Sequence, residues 1–83
     1  MARYFLHLRD STDEILDPEG IEMPDEAVPG AALLAARDCI AGDVHNGKID
    51  LHYRIDVHDE SGQVVHSLPF ADAVEVVGQK ERV

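Results

Sequence analysis

Length, composition and charge limit what this chain can be. Its 83 residues suffice for one domain with one small core, and an apolar fraction of 45% is typical of globular proteins. Seven lysines and arginines stand against 17 aspartates and glutamates, which leaves a formal net charge of −10. This charge argues against binding to nucleic acid or to an anionic membrane, because both are held mainly by positively charged side chains.

Cysteine content and hydropathy predict a cytoplasmic protein. Cys39 is the single cysteine, so an internal disulfide is excluded. The first residues lack the apolar centre of a secretory signal, and the longest run that is both uncharged and largely apolar, 27–36, is too short to span a bilayer. We therefore expect a protein of a reducing cytoplasm.

The N-terminal quarter of the chain predicts two strands joined by an acidic loop. Apolar residues alternate with charged residues and histidine over 2–9, which is typical of a strand. Phe5 interrupts the alternation, so we expect the polar face to be covered near that residue. The composition of 10–20 predicts a loop, and 21–23 predicts a short strand antiparallel to the first.

One helix is predicted in the middle of the chain. Asp25 is a candidate N-cap, and the helix is expected to begin at Glu26 or at Pro29, because proline is tolerated in the first turn. It should end near Val44, with Gly47 in the left-handed conformation. The apolar stripe consists of Ala32, Leu33, Ala36, Cys39 and Ile40.

The clearest pattern is the strict alternation over 49–58, which predicts a long strand with one apolar face. A turn at 59–62 leads into a further strand over 64–70. A four-residue loop, which we prefer, places Val57 opposite Val64, whereas a three-residue loop with a bulge places it opposite Val65. The polar face of the long strand carries Asp50, His52, Arg54, Asp56 and His58.

This order of elements, β-β-α-β-β, predicts an α+β fold in which one Ala-rich helix packs on one face of a small antiparallel sheet. We expect residues 1–78 to form a single domain and 79–83 a frayed tail. Residues 72–77 are compatible with either a short helix or an edge segment.

The sequence resembles a family of short uncharacterised proteins from alphaproteobacteria, catalogued as a domain of unknown function. The resemblance rests on Tyr4-Phe5 with alternating residues to Asp10, the segment Glu19–Asp25, the Ala-rich helix, the turn at 59–62 and the segment Leu68–Phe70. It implies an α+β fold in a bacterial cytoplasm, and it brings no activity, cofactor or catalytic residue. Members continue from Asp25 into an unbroken helix, whereas Pro29-Gly30 leaves the start of the helix open in this sequence. Strand order also gives a more distant similarity to HicB-type antitoxins.

Motifs for catalysis or cofactor binding are missing from the sequence, so we expect a protein that is not an enzyme and holds no cofactor. Cys39 lies on the apolar stripe, where a buried and inert thiol is expected. The weak candidates for a metal site are His52, His58 and His66. His52 and His58 would lie roughly 20 Å apart along one strand, too far to share an ion. A metal- or small-ligand-binding protein that uses these histidines and nearby carboxylates is the alternative hypothesis.

The leading hypothesis is a noncatalytic interaction module whose acidic surface binds a basic protein partner. One candidate surface is the acidic loop, with Asp13, Glu14, Asp17 and Glu19. A second is the polar strand face, with Asp50, His52, Arg54, Asp56 and His58. Leu34 projects opposite the apolar stripe together with Ala31 and Ala41, and this second apolar face predicts a homodimer.

Overall fold

A computed structural model describes residues 1–78, and strand β1, Ala2–Arg9, lies at the centre of its sheet. Along one edge β1 pairs with two short strands, β2 at Glu14–Ile15 and β3 at Ile21–Met23. Along the other edge it pairs with β4, Arg54–His58, which pairs in turn with β5, Val64–Pro69. All pairings are antiparallel, so the predicted antiparallel sheet is confirmed.

A single long helix, α1, covers one face of this sheet. It runs over Val28–His45 and follows a one-turn 3₁₀ helix at Asp25–Ala27. Its buried residues, four apart along the helix, are mostly small, which lets the helix axis lie close to the sheet. These residues are Val28, Ala32, Ala36 and Ile40. The predicted α+β architecture with an Ala-rich helix on one face is therefore confirmed.

The helix start departs from the prediction in two respects. Pro29 lies in the first turn of α1, as expected, but α1 begins at Val28, between the two expected starts, and the residue at the N-cap position is Ala27. The N-cap prediction for Asp25 is wrong, because its carboxylate accepts a hydrogen bond from the Tyr4 hydroxyl and so ties the helix entrance to β1. At the other end, Gly47 has a φ of +85°, which confirms the predicted left-handed residue.

The core lies between α1 and the face of the sheet that we call the inner face. β1 and β4 contribute Tyr4, Ile55 and Val57, and Val57 is fully buried. Phe70, in a one-turn 3₁₀ helix at Phe70–Asp72, closes the core at 1% exposure. Leu6, Leu8, Leu51 and Tyr53 pack around this cluster.

The predicted long strand over 49–58 forms only in its second half. β4 begins at Arg54, and the residues before it form a turn and irregular backbone. Arg54 pairs with Arg9 on one side and with Pro69 on the other, and these are the last residues of β1 and β5. Residues 49–53 therefore have almost no strand to pair with, although their sequence alternates as a strand would.

Both expected registers of the β4–β5 hairpin are wrong over most of its length. The Gly62 N–H donates to the Asp59 carbonyl, and Gly62 has a φ of +85°, which is the geometry of a three-residue loop. A second irregularity at Val57 and His58 then shifts the pairing, so that Val57 lies opposite His66. The bulge keeps Leu68 on the inner face, opposite Ile55.

Smaller features complete the fold. The two-residue strand β2 was predicted as loop, because acidic residues surround it. Residues 74–77 form neither the short helix nor the edge strand that were considered, and the predicted tail at 79–83 lies outside the described residues. Within residues 1–78, no helix combines the length and apolarity needed to cross a membrane.

Candidate functional site

The face of the sheet turned away from α1, which we call the outer face, gathers most of the polar chemistry of the strands. Residues of β1 and β4 that alternate with the core residues lie there, and the antiparallel register sets them in pairs. Three such pairs form the outer face: Phe5 with His58, His7 with Asp56, and Arg9 with Arg54.

Asp56 is the anchor of the outer face. The Arg54 Nε lies 3.2 Å from both of its carboxylate oxygens, and Arg9 Nη1 lies 3.2 Å from Oδ2. The Ser67 hydroxyl of β5 donates to Oδ1 at 2.6 Å. Only 4% of Asp56 is exposed, although it lies on the face that was expected to be solvated. Asp56 therefore ties three strands together and is not available as an interaction residue.

The electrostatics of this cluster favour the ionised carboxylate. Burial raises the pKa of Asp56, but the hydrogen bond from Ser67 and the positive charge of Arg54 outweigh burial and hold the pKa below its usual range. Arg9 is shared with a second carboxylate, since its Nε lies 2.8 Å from Glu14 Oε2 on β2. Glu14 and Arg54, two predicted interaction residues, thus belong to one intramolecular ion network.

The two histidines of the outer face contact each other. The rings of His7 and His58 meet edge to face with centroids 4.6 Å apart. His7 Nδ1 accepts a hydrogen bond from the Asp17 backbone N–H at 3.0 Å. His58 Nε2 is buried, and among residues 1–78 it has no hydrogen-bond partner. Sequence reasoning missed His7, because its approach to His58 depends on β1 lying beside β4.

The acidic loop over 10–20 is held by its own carboxylates. Asp10 Oδ1 accepts the backbone N–H groups of Thr12 and Asp13, at 2.8 and 2.7 Å. Asp13 accepts a hydrogen bond from the Tyr53 hydroxyl at 3.1 Å. Glu19 is exposed, and its carbonyl accepts a hydrogen bond from Arg3. Asp17 is half-buried against β1, so of the four predicted loop residues it is structural, while Asp13 and Glu19 face solvent.

The polar strand face predicted for 49–58 is divided. Asp50 and His52 precede β4, where the exposed His52 ring lies 3.2 Å from Asp50 Oδ1. His58 lies on the outer face beside His7, whereas His66 lies opposite Val57 and thus on the inner-face side of β5. His52, His58 and His66 are therefore not brought together. Within the described part of the chain, no group of three or more histidine, cysteine or acidic side chains is placed to hold a metal ion.

Two predicted residues of α1 lie apart from the outer face. Leu34 is 63% exposed on the far side of the helix, as its position in the sequence indicated, whereas Ala31, which was expected beside it, is partly buried against the core. Cys39 is partly buried, and this burial raises the pKa of its thiol. A thiol with a raised pKa is a poor nucleophile at neutral pH, in keeping with the structural role expected of it.

The geometry defines a small two-layer α+β domain whose outer sheet face carries a buried ion network beside a pair of histidines. The chain belongs to the family described as Domain of unknown function (DUF6894), whose model matches residues 3–71. The match runs from β1 to the 3₁₀ turn after β5, so it includes α1 and all five strands. No curated protein and no solved structure matches the chain.

Proposed function

We propose that this protein is a small noncatalytic interaction module whose acidic surface binds a basic protein partner. One observation supports this proposal above the others: within residues 1–78 the arginines are engaged in the fold, while most of the carboxylates face outward. Arg3 lies 3.6 Å from Glu22, and Arg9 and Arg54 hold Asp56. Arg37 Nε donates to the Ala73 carbonyl at 2.8 Å.

Most of the exposed carboxylates form no ion pair within residues 1–78 and can therefore interact with a partner. Among residues 1–78, eight exposed acidic side chains have no arginine, lysine or histidine within ion-pair distance: Asp13, Glu19, Asp25, Glu26, Asp38, Glu60, Asp72 and Glu75. An outward field of one sign speeds association with an oppositely charged protein and makes the binding sensitive to salt. The acidic loop is the preferred contact, because Asp13 and Glu19 stand on backbone that hydrogen bonds hold in place.

The test is capture of partners from a native lysate by the whole protein, at about 0.05 M and about 0.5 M salt. We expect a basic partner that is retained at low salt and released at high salt. The double variant Asp13→Asn and Glu19→Gln should lose it, because two loop charges are removed while the Tyr53 hydroxyl still finds an acceptor.

The matched control removes the same charge elsewhere. Asp38→Asn with Glu75→Gln takes two exposed carboxylates from outside the loop, so this variant should retain the partner. Equal loss in both variants would show that only overall charge matters and would remove the loop from the proposal. A lysate that yields no salt-sensitive partner would contradict the interaction module itself.

We also propose that the protein forms a homodimer through the outer side of α1. Leu34 is 63% exposed, and its neighbours on that side include the small residue Ala41. Light scattering at tens of micromolar should give about twice the chain mass of 9.1 kDa, and Leu34→Ser should return the monomer. A mass of one chain for the unaltered protein would contradict this proposal.

We place this function in the cytoplasm of an alphaproteobacterium. The sequence resemblance described above and the single cysteine support that setting. A distant similarity to HicB-type antitoxins, based on the strand order and on Pro24-Asp25 before the Ala-rich helix, is part of the same proposal.

A further inference from the structure

The edge of the sheet beside the acidic loop contains a gap that Asp17 fills. β3 pairs with Ala2–Tyr4 and β2 pairs with Leu8–Arg9, so among residues 1–78 the middle of β1 has no strand partner on this edge. Asp17 Oδ2 accepts the Leu6 N–H at 3.2 Å. Its Oδ1 accepts the N–H groups of Glu19 and Gly20, at 3.2 and 3.1 Å. The carboxylate therefore replaces a strand at this point.

A second bond between Asp17 and β1 depends on the protonation state of a histidine. The Asp17 backbone N–H donates to His7 Nδ1 at 3.0 Å. An imidazole nitrogen accepts a hydrogen bond only while it carries a lone pair, so His7 must be neutral with its proton on Nε2. A protonated ring carries N–H groups on both nitrogens, and Nδ1–H would then point at the Asp17 N–H.

The surroundings of His7 keep the ring neutral near pH 7. Burial, the neighbouring His58 ring and the positive charge of Arg9 lower the pKa of His7, and the carboxylates of Asp17 and Glu14 oppose them. Asp56 of β4 lies opposite His7 in the register, but its carboxylate is already paired with Arg9 and Arg54. Asp17, which fills the gap in the sheet, thus donates to a histidine whose lowered pKa makes it take up a proton less readily than an ordinary imidazole.

We propose that His7 is a proton-sensitive latch for the segment Asp17–Gly20: when the ring takes up a proton, the bond from Asp17 is lost and the segment leaves the edge of β1. The segment lies tightly against β1, since a Cβ built on Gly20 would come within 2.9 Å of the Phe5 ring. Opening therefore exposes Phe5 together with the Leu6 N–H. The opening of this segment does not require a binding partner.

The experiment is an NMR titration of the isotope-labelled full chain from about pH 7.5 to about pH 4.5, a range that spans the ordinary histidine pKa. We expect the His7 ring to titrate below its ordinary value of 6.5. At the same midpoint the Asp17 and Gly20 amides should shift, and their hydrogen-exchange protection should fall about tenfold. Burial raises the pKa of Asp17, but the three N–H groups that its carboxylate accepts outweigh burial and leave the pKa below its ordinary value. Asp17 itself therefore titrates below this pH range.

Two variants separate the latch from other histidines. In His7→Gln the side-chain oxygen accepts the Asp17 N–H at every pH, so the amide transition should disappear. In His52→Gln, which alters a ring that is 93% exposed, the transition should remain unchanged. The proposal is overturned if the Asp17 amide is insensitive while His7 titrates, if His7 does not titrate in this range, or if His7→Gln shows the same transition.

Discussion

The two faces of the sheet are built from the same strands and are stabilised in different ways. On the inner face, Val57 and Ile55 are buried under α1 by shape and apolar area alone. On the outer face, one residue away along β4, Asp56 is as deeply buried, and its burial depends on Arg9, Arg54 and Ser67. Alternate residues of β4 are thus buried for two different reasons: apolar packing on the inner face, and ion pairs and hydrogen bonds on the outer face.

This difference determines which substitutions each face tolerates. An apolar core accepts a side chain of similar volume, because its contacts have no fixed direction. A buried carboxylate accepts no such replacement, since its partners lose a charge-assisted hydrogen bond when the charge is removed. The outer face should therefore be less tolerant of isosteric change than the inner face.

The largest expected effect is on the inner side. Phe70→Ala removes a ring that is 1% exposed and should lower the free energy of unfolding by about 3–5 kcal/mol. The measurement is urea denaturation followed by circular dichroism. Phe70→Leu keeps most of the volume and should cost less than about 1.5 kcal/mol. Equal losses in the two variants would show that the site depends on the aromatic ring itself.

On the outer face the isosteric change should be the costly one. Asp56→Asn preserves volume yet removes the charge shared by Arg9 and Arg54, and we expect a loss of about 3 kcal/mol. The exposed Asp38→Asn should change stability by less than about 0.5 kcal/mol. If both substitutions prove neutral, the contrast between the faces fails.

The stability of the protein in acid should also depend on the Asp56 carboxylate. The lowered pKa of Asp56 means that the folded state binds its proton less readily than the unfolded chain. The stabilisation is therefore complete above the ordinary aspartate value of about 3.9 and is lost as the pH falls below it. Urea midpoints between about pH 6 and about pH 2.5 should decline more steeply for the unaltered protein than for Asp56→Asn. Parallel curves would contradict this assignment.

The segment beside the outer face gives an intermediate effect. Gly20 has a φ of +72°, and an added Cβ would lie 2.8 Å from the Tyr4 carbonyl oxygen. Gly20→Ala should cost about 2 kcal/mol, because both the left-handed backbone and the contact with β1 resist a side chain. Thermal unfolding measures the loss, and an unchanged transition would show that the segment is held loosely.

Substitution of a glycine in α1 should give the smallest change in stability, and it should stabilise rather than destabilise the protein. A Cβ on Gly42 would meet nothing within 4 Å, and the residue lies within the helix. Gly42→Ala should therefore stabilise the protein by about 0.5–1 kcal/mol. Thermal unfolding beside Gly20→Ala makes the comparison direct, and destabilisation by Gly42→Ala would mean that the helix surface is covered in solution.

Periodicity predicted the elements that local sequence determines. The strand at 2–9, the short strand at 21–23 and the left-handed Gly47 after the helix all depend on neighbouring residues, and all three are confirmed. The prediction of a strand over 49–58 was wrong for its first half, because pairing with neighbouring strands, rather than alternation, decides where a strand begins. Its first half extends past the ends of both neighbouring strands.

The outer face could be predicted only in part, for a related reason. Alternation placed Arg54, Asp56 and His58 on one face of a strand, and the structure agrees. Burial of Asp56 required Arg9 from β1 and Ser67 from β5, and the contact of His58 with His7 required the same neighbours. The order of the strands in the sheet determines these contacts, and the strand order cannot be read from local sequence patterns.

The bulge and the proline of β5 have a consequence for how the sheet can grow. β5 is the last strand on its side among residues 1–78, and no charged residue occurs between Gln63 and Ala71 to repel another chain. Pro69 lacks an N–H group, and the irregularity beside Val64 breaks the repeat of backbone donors along the strand. A neighbouring strand thus finds too few regular donors to continue the ladder. These two features should disfavour edge-to-edge growth of the sheet at β5, where no charged side chain opposes it.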